Sequence, residues 1–166
     1  LIAYLDASAL VKRYLVERGS RETIALSAES ELIATSIVTR AEVAAAFGKA
    51  ARIGLVTRDR AQRAQRSFTG DWPDLVRLPV TEALVERAET LAWAHGLRGY
   101  DAVQLASALT WQESVGTEIL LATFDQQLWE AAPEAGVQAW PDKLPARDTM
   151  RDAARERSET EGNRRR

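Results

Sequence analysis

Asp6, Glu42, Asp101 and Asp125 are the residues through which this sequence can do chemistry. Composition narrows attention to them. The 166 residues contain no cysteine, which removes thiol nucleophiles, zinc fingers, iron–sulfur clusters and disulfide frameworks together. The single histidine, His95, excludes a multi-histidine metal site and would have to serve in any serine–histidine–aspartate arrangement. What remains is mainly carboxylate chemistry. Carboxylates a few ångströms apart raise one another's pKa, and no lysine or arginine stands next to any of the four except Arg40 near Glu42. A hard divalent cation, Mg2+ or Mn2+, relieves such repulsion; it takes oxygen ligands in octahedral geometry, keeps waters, and polarises phosphate.

The four acids matter only if the fold gathers them. Ile2 to Asp6 reads as a strand, Ser8 to Glu17 as a helix ending near Gly19, and Leu32 to Ser36 as a second strand. Thr39-Arg-Ala-Glu42 has the capping-box form, and the alanine-rich run behind it continues as helix to Ala51, with Gly54 as its stop. Helices are expected over 58–68 and 82–95, with an extended stretch at 76–80 between them. Behind Gly99-Tyr100, the spacing of Ala102, Leu105, Ala106 and Leu109 marks the buried face of another helix. A strand over 118–124, a short helix over 126–132 and a last strand over 137–140 complete an α/β alternation, which predicts a parallel sheet flanked by helices. In open parallel sheets, ligands bind beyond the carboxyl ends of the strands. Asp6 and Asp125 fall at strand ends, and Glu42 and Asp101 in the first turns of helices starting from the same side, so one pocket can take all four. Each also has a plainer role, since Asp6, Asp101 and Asp125 stand where an N-cap would be and Glu42 where a capping box places its glutamate.

A hydrophobic share of 46% and a charged share of 28% describe one ordinary globular domain, placed at residues 1–144, long enough to build a core without staples. From Pro145 the chain has seven arginines against five acids and no aromatic residue, so 145–166 is expected to be a charged, flexible tail. The longest uncharged run, 102–112, falls well short of the ~20 apolar residues a membrane span needs. A cytoplasmic protein without a membrane partner is therefore expected. Net charge is −2, yet Lys49, Arg52, Arg58, Arg60, Arg63 and Arg66 face only Asp59 within 49–66, a basic stretch that is either an RNA track or a solvated helix face. The tryptophans are expected in the core or at interfaces, with Trp72, beside Pro73, the most exposed.

Leu5-Asp6-Ala-Ser8, Glu42, Tyr100-Asp101-Ala102 and Thr123-Phe-Asp125, in this order and spacing, resemble a PIN domain over about residues 1–141. More closely, the chain is similar to the ribonuclease toxin of bacterial VapBC-type toxin–antitoxin pairs. The resemblance implies a three-layer fold with Asp6, Glu42, Asp101 and Asp125 as metal-binding, catalytic acids and Ser8 and Thr123 as supporting polar residues. It also implies Mg2+- or Mn2+-dependent endonucleolytic hydrolysis of RNA, a homodimer, and a small antitoxin partner whose C-terminal segment covers the active-site groove. A nuclease of RNA maturation without a toxin role, and a catalytically silent binding module of the same fold, remain open beside it. A haloacid-dehalogenase-like phosphotransferase is disfavoured, because such sites place a second aspartate where this chain has Ser8.

Overall fold

The computed structural model describes residues 1–145. The expected tail therefore lies, apart from Pro145, outside the described residues. Strands β1 (Ile2–Leu5), β2 (Leu32–Ser36), β3 (Val76–Leu78), β4 (Leu120–Ala122) and β5 (Gln138–Trp140) form one sheet in the order β3-β2-β1-β4-β5. Every pairing is parallel, with Tyr4 opposite Ala34 on one side and Leu121 on the other. The helices are α1 (Ala7–Val11), α2 (Ser20–Glu29), α3 (Thr39–Arg52), α4 (Arg58–Asp71), α5 (Glu82–His95), α6 (Gly99–Val115) and α7 (Gln126–Ala135), with a 3-10 turn at Trp72–Asp74.

Strand alternation divides the interior into two cores. Successive side chains point to opposite faces, so Ala3 and Leu5 join Val43, Phe47 and Phe68 in the layer of α1 to α4, while Tyr4 joins Leu105, Leu109 and Leu128 in the layer of α5 to α7. Helices thus cover both faces, as the expected three-layer α/β fold requires. The strand order also creates a switch point: the chain builds outward from β1 through β2 and β3, then returns to the other flank of β1 with β4. Crevices at such reversals, beyond the strand carboxyl ends, are where ligands bind.

Local expectations fail where packing overrides pattern. The helix expected over 8–17 stops at Val11, and the chain tightens into three-residue closures at Lys12, Arg13 and Tyr14. This lets Lys12 turn inward, 7% exposed, to donate to Glu17 Oε1 at 2.7 Å and the Arg18 carbonyl at 2.9 Å. Gly19, read as a helix stop, is instead the N-cap of the unforeseen α2. It adopts φ +88°, and a Cβ there would fall 2.5 Å from the Phe124 ring. Helix α2 escaped the periodicity argument because its buried positions are Ser20, Thr23 and Leu26, only one of them a large apolar residue. Trp72 is buried, not exposed: the 3-10 turn folds its indole against Phe68, 5.3 Å between ring centroids. Trp93 is the exposed tryptophan, at 93%.

Candidate active site

Strands β1 and β4 end side by side, and the first acid grows out of that ending. The Asp6 amide donates to the Ala122 carbonyl, prolonging the ladder by one rung. Asp6 then caps α1 by accepting from the Ala9 amide with Oδ1 at 2.8 Å. Its carboxylate also receives the Ser8 hydroxyl, 2.7 Å from Oδ1, and the Thr123 hydroxyl at Oδ2, 2.7 Å. Ser8 Oγ in turn accepts the Phe124 amide at 2.7 Å, and Thr123 Oγ1 accepts the Asp125 amide at 3.1 Å. Three residues just past β4 are thereby stitched to the residue just past β1. The expected strand over 118–124 ends early, at Ala122, because residues 123–125 turn away to make these bonds.

Glu42 and Asp101 arrive on helices. Glu42 lies in the first turn of α3, but no capping box forms: Val38 is the N-cap, and the Thr39 hydroxyl is buried. Thr39 Oγ1 accepts from Gln104 Nε2 at 2.9 Å and lies 2.9 Å from Thr35 Oγ1, whose hydroxyl donates to the Leu5 carbonyl at 2.7 Å. The same Gln104 amide donates to Glu42 Oε2 at 2.5 Å, while Gln104 Oε1 accepts the Tyr4 hydroxyl at 2.5 Å. A buried amide on α6 therefore fixes Glu42 of α3 against β1. Asp101 is in the first turn of α6, whose N-cap is Arg98. Asp125 is the N-cap of α7, accepting from the Leu128 amide at 3.1 Å. Arg98 joins the last two acids, with Nε donating to Asp101 Oδ2 and Nη2 to Asp125 Oδ2, each at 2.7 Å.

The structure thus corrects the expectation that only Arg40 stands near the acids. Arg40 lies over the Trp72 ring, 5.6 Å from its centroid, and Arg98 is the cation that meets two of the four. Arg98 stands three residues before Asp101, so its signal in the sequence is helical spacing and not adjacency. Gln104 carried its own signal, an amide inside the apolar run that begins at Ala102.

The four carboxylates form a row in which each neighbour is felt electrostatically. Burial pushes the Asp6 carboxyl up to about 6, against the lowering pull of its bonds from Thr123, Ala9 and Ser8, and the Glu42 charge adds to the rise. Glu42 is raised by burial and by the Asp101 charge, opposed by Gln104. Asp101 is raised by burial and by the Asp125 charge, opposed by Arg98. Among the described residues no three acids, as oriented, gather tightly enough to share one ion. The donor set nevertheless has the all-oxygen chemistry that Mg2+ and Mn2+ take, and two of its oxygens, on Asp101 and Asp125, already hold a cation in the form of Arg98.

The remaining candidates lie elsewhere. Lys49 and Arg52 are at the end of α3, seven and ten positions beyond Glu42, about 10 to 15 Å along the axis. Arg58, Arg60, Arg63 and Arg66 line the exposed face of α4, where Arg63 pairs with Asp59. His95 ends α5 and lies 3.3 Å from Glu134 Oε2, at the far end of α7 from Asp125.

The PIN domain family model matches residues 3–133. Ribonuclease VapC45 of Mycobacterium tuberculosis strain CDC 1551 is 35% identical over 144 residues, covering 86% of this chain and 97% of the relative; Ribonuclease VapC49 of strain H37Rv matches equally. In fold, the chain is similar to a toxin–antitoxin complex from Klebsiella pneumoniae (TM-score 0.59, 17% identity, covering 86% of this chain and 99% of the other). It is also similar to VapBC2 from Rickettsia felis bound to a promoter DNA fragment (TM-score 0.58, 14% identity, 85% and 100%).

Proposed function

The chain belongs to the PIN domain family, and from that membership we propose that it is a divalent-metal-dependent endoribonuclease, the toxin of a toxin–antitoxin pair. Residues 1–144 form its nuclease domain. The observation that carries this reading is the row Asp6, Glu42, Asp101 and Asp125 beyond the strand carboxyl ends, with its innermost member buried and anchored by three donors. The relatives of matching length are ribonucleases by name.

Asp6, Glu42, Asp101 and Asp125 would hold Mg2+ or Mn2+, which supplies Lewis acidity toward phosphate and water. The chain's own residues do the rest. Ser8 and Thr123 fix the Asp6 carboxylate in one orientation, so no rotamer search precedes binding. Gln104 does the same for Glu42. With His95 at the end of α5, against Glu134 at the far end of α7 from Asp125, proton transfer from an attacking water falls to the carboxylates. Lys49, Arg52, Arg58, Arg63 and Arg66 form an exposed positive face that attracts phosphate without reading sequence. The partners are an RNA substrate, an antitoxin covering the groove and a second copy of the chain. Among the described residues no helix is long and apolar enough to cross a membrane, and a toxin acting on cellular RNA would work in the cytoplasm.

The test is incubation of the purified protein with structured RNAs in Mn2+ and in EDTA, together with expression without a partner protein. Metal-dependent cleavage with slowed growth is the expected result. Cleavage without a growth defect would favour an RNA-maturation role, and no cleavage in any metal would leave a silent binding module.

A further inference from the structure

Arg98 occupies a position that local helix chemistry disfavours. It is the N-cap of α6, where Ser, Thr, Asp or Asn would accept a backbone amide; its side chain makes no such bond, and its charge faces the positive end of the helix dipole. What holds it there is the bridge to Asp101 Oδ2 and Asp125 Oδ2. The two carboxylates are largely covered, at 14% and 27% side-chain exposure, whereas Arg98 is 69% exposed. Its guanidinium covers the Asp101 and Asp125 end of the row on a side chain that is itself largely exposed.

We propose that Arg98 is the site's own counter-cation: it bridges Asp101 and Asp125 and offsets part of their charge in the metal-free protein, and it must swing away before a divalent ion can bind. The inference rests on the metal-site reading above. The oxygens that would serve the metal already serve the guanidinium, and among the described residues no three acids are gathered around one point while it is in place. Arginine stays protonated at every working pH, so only competition or movement releases the seat. Apparent metal affinity is then reduced by the fraction of molecules in which Arg98 is away. A site guarded in this way stays folded without metal, despite four adjacent acids, and loads metal only when the ion outcompetes an internal one.

Calorimetric titration of the EDTA-stripped full chain with MnCl2 tests this directly, comparing wild type, Arg98→Gln and Arg40→Gln. Arg40→Gln removes the same charge from the side chain over Trp72, outside the bridge. Arg98→Gln should tighten the apparent Kd for Mn2+ on the order of tenfold, while Arg40→Gln should change it less than about twofold. In EDTA, Arg98→Gln should also melt below wild type, with a larger rise on adding Mn2+. An Arg98→Gln affinity equal to or weaker than wild type, or an equal gain in Arg40→Gln, overturns the proposal. If wild type binds Mn2+ and Arg98→Gln does not differ, only this inference fails. If none of the three proteins binds Mn2+, the metal-site reading fails with it.

Discussion

The hydroxyl of Thr123 donates to Asp6 Oδ2 at 2.7 Å, joining residues 117 positions apart where β4 and β1 end together. The same oxygen of Thr123 accepts the Asp125 amide. One small side chain thus sets the orientation of one acid and the backbone of another.

Replacing Thr123 with Val keeps the shape but removes the shorter of two donors to the buried Asp6 Oδ2, leaving Ser8 Oγ at 3.0 Å, and strands the Asp125 amide. Thr123→Val should lower unfolding free energy by about 1 to 3 kcal/mol, the usual cost of buried groups left without a partner. Thr123→Ser should recover most of it. Urea unfolding of the three proteins checks this, and equal midpoints for wild type and Thr123→Val would contradict it.

Gln104 links Tyr4, Thr39 and Glu42 through one buried amide. Gln104→Leu removes donor and acceptor at once and takes the 2.5 Å acceptor from the buried Tyr4 hydroxyl. A loss of about 2 kcal/mol is expected, with Gln104→Glu also destabilised because it sets a second carboxylate against Glu42. Chemical denaturation monitored by tryptophan fluorescence measures both.

Asp6 gives the metal-free protein a pH dependence of definite sign. Its folded pKa is raised from 3.8 to about 6 by burial, so between about pH 4 and 6 the folded state binds more protons than the unfolded chain. Stability from this group therefore falls as pH rises through that window and levels off above it. The raised Glu42 and Asp101 carboxyls act in the same direction. In EDTA the melting temperature should be lower at pH 7 than at pH 5, and Asp6→Asn should narrow that difference. A melting temperature that climbs from pH 5 to 7 would contradict the assignment.

Amide substitution of the acids should separate chemistry from structure. Asp101→Asn removes a charge from a side chain that caps nothing, so RNA cleavage should fall at least a hundredfold (about 2.7 kcal/mol of barrier) with little change in melting temperature. Asp6→Asn should be as inactive but less stable, because an amide cannot accept from Ala9, Ser8 and Thr123 together. Gel assays beside thermal melts report both quantities, and cleavage at the parent rate in both variants would remove these acids from the reaction.

The basic face should act through Arg58 and Arg66 more than through Arg63, which Asp59 already engages. Arg58→Gln with Arg66→Gln should reduce the salt dependence of RNA binding by about one to two counterions. Fluorescence anisotropy between 50 and 200 mM salt, on the order used to resolve such slopes, reads the change. An unaltered slope would return this face to simple solvation.

The sequence by itself determined the parallel α/β alternation, the four candidate acids and which elements carry them, because strand and helix periodicity are local properties. Asp6 and Asp125 proved to be N-caps as well as members of the row, so the plain role and the proposed metal-holding role fall on one side chain. The fate of Thr39 and Glu42 was decided elsewhere: the capping-box pattern gave way because Gln104, 62 residues beyond Glu42, offered a buried partner to both. Helix α2, the burial of Trp72 and the inward turn of Lys12 likewise came from packing against distant residues. Only the tertiary structure set Arg98 between Asp101 and Asp125, since that bridge needs α6 and α7 to begin side by side. Electrostatic balance in a site is a sum over neighbours in space, and a single chain direction carries only those a few residues away.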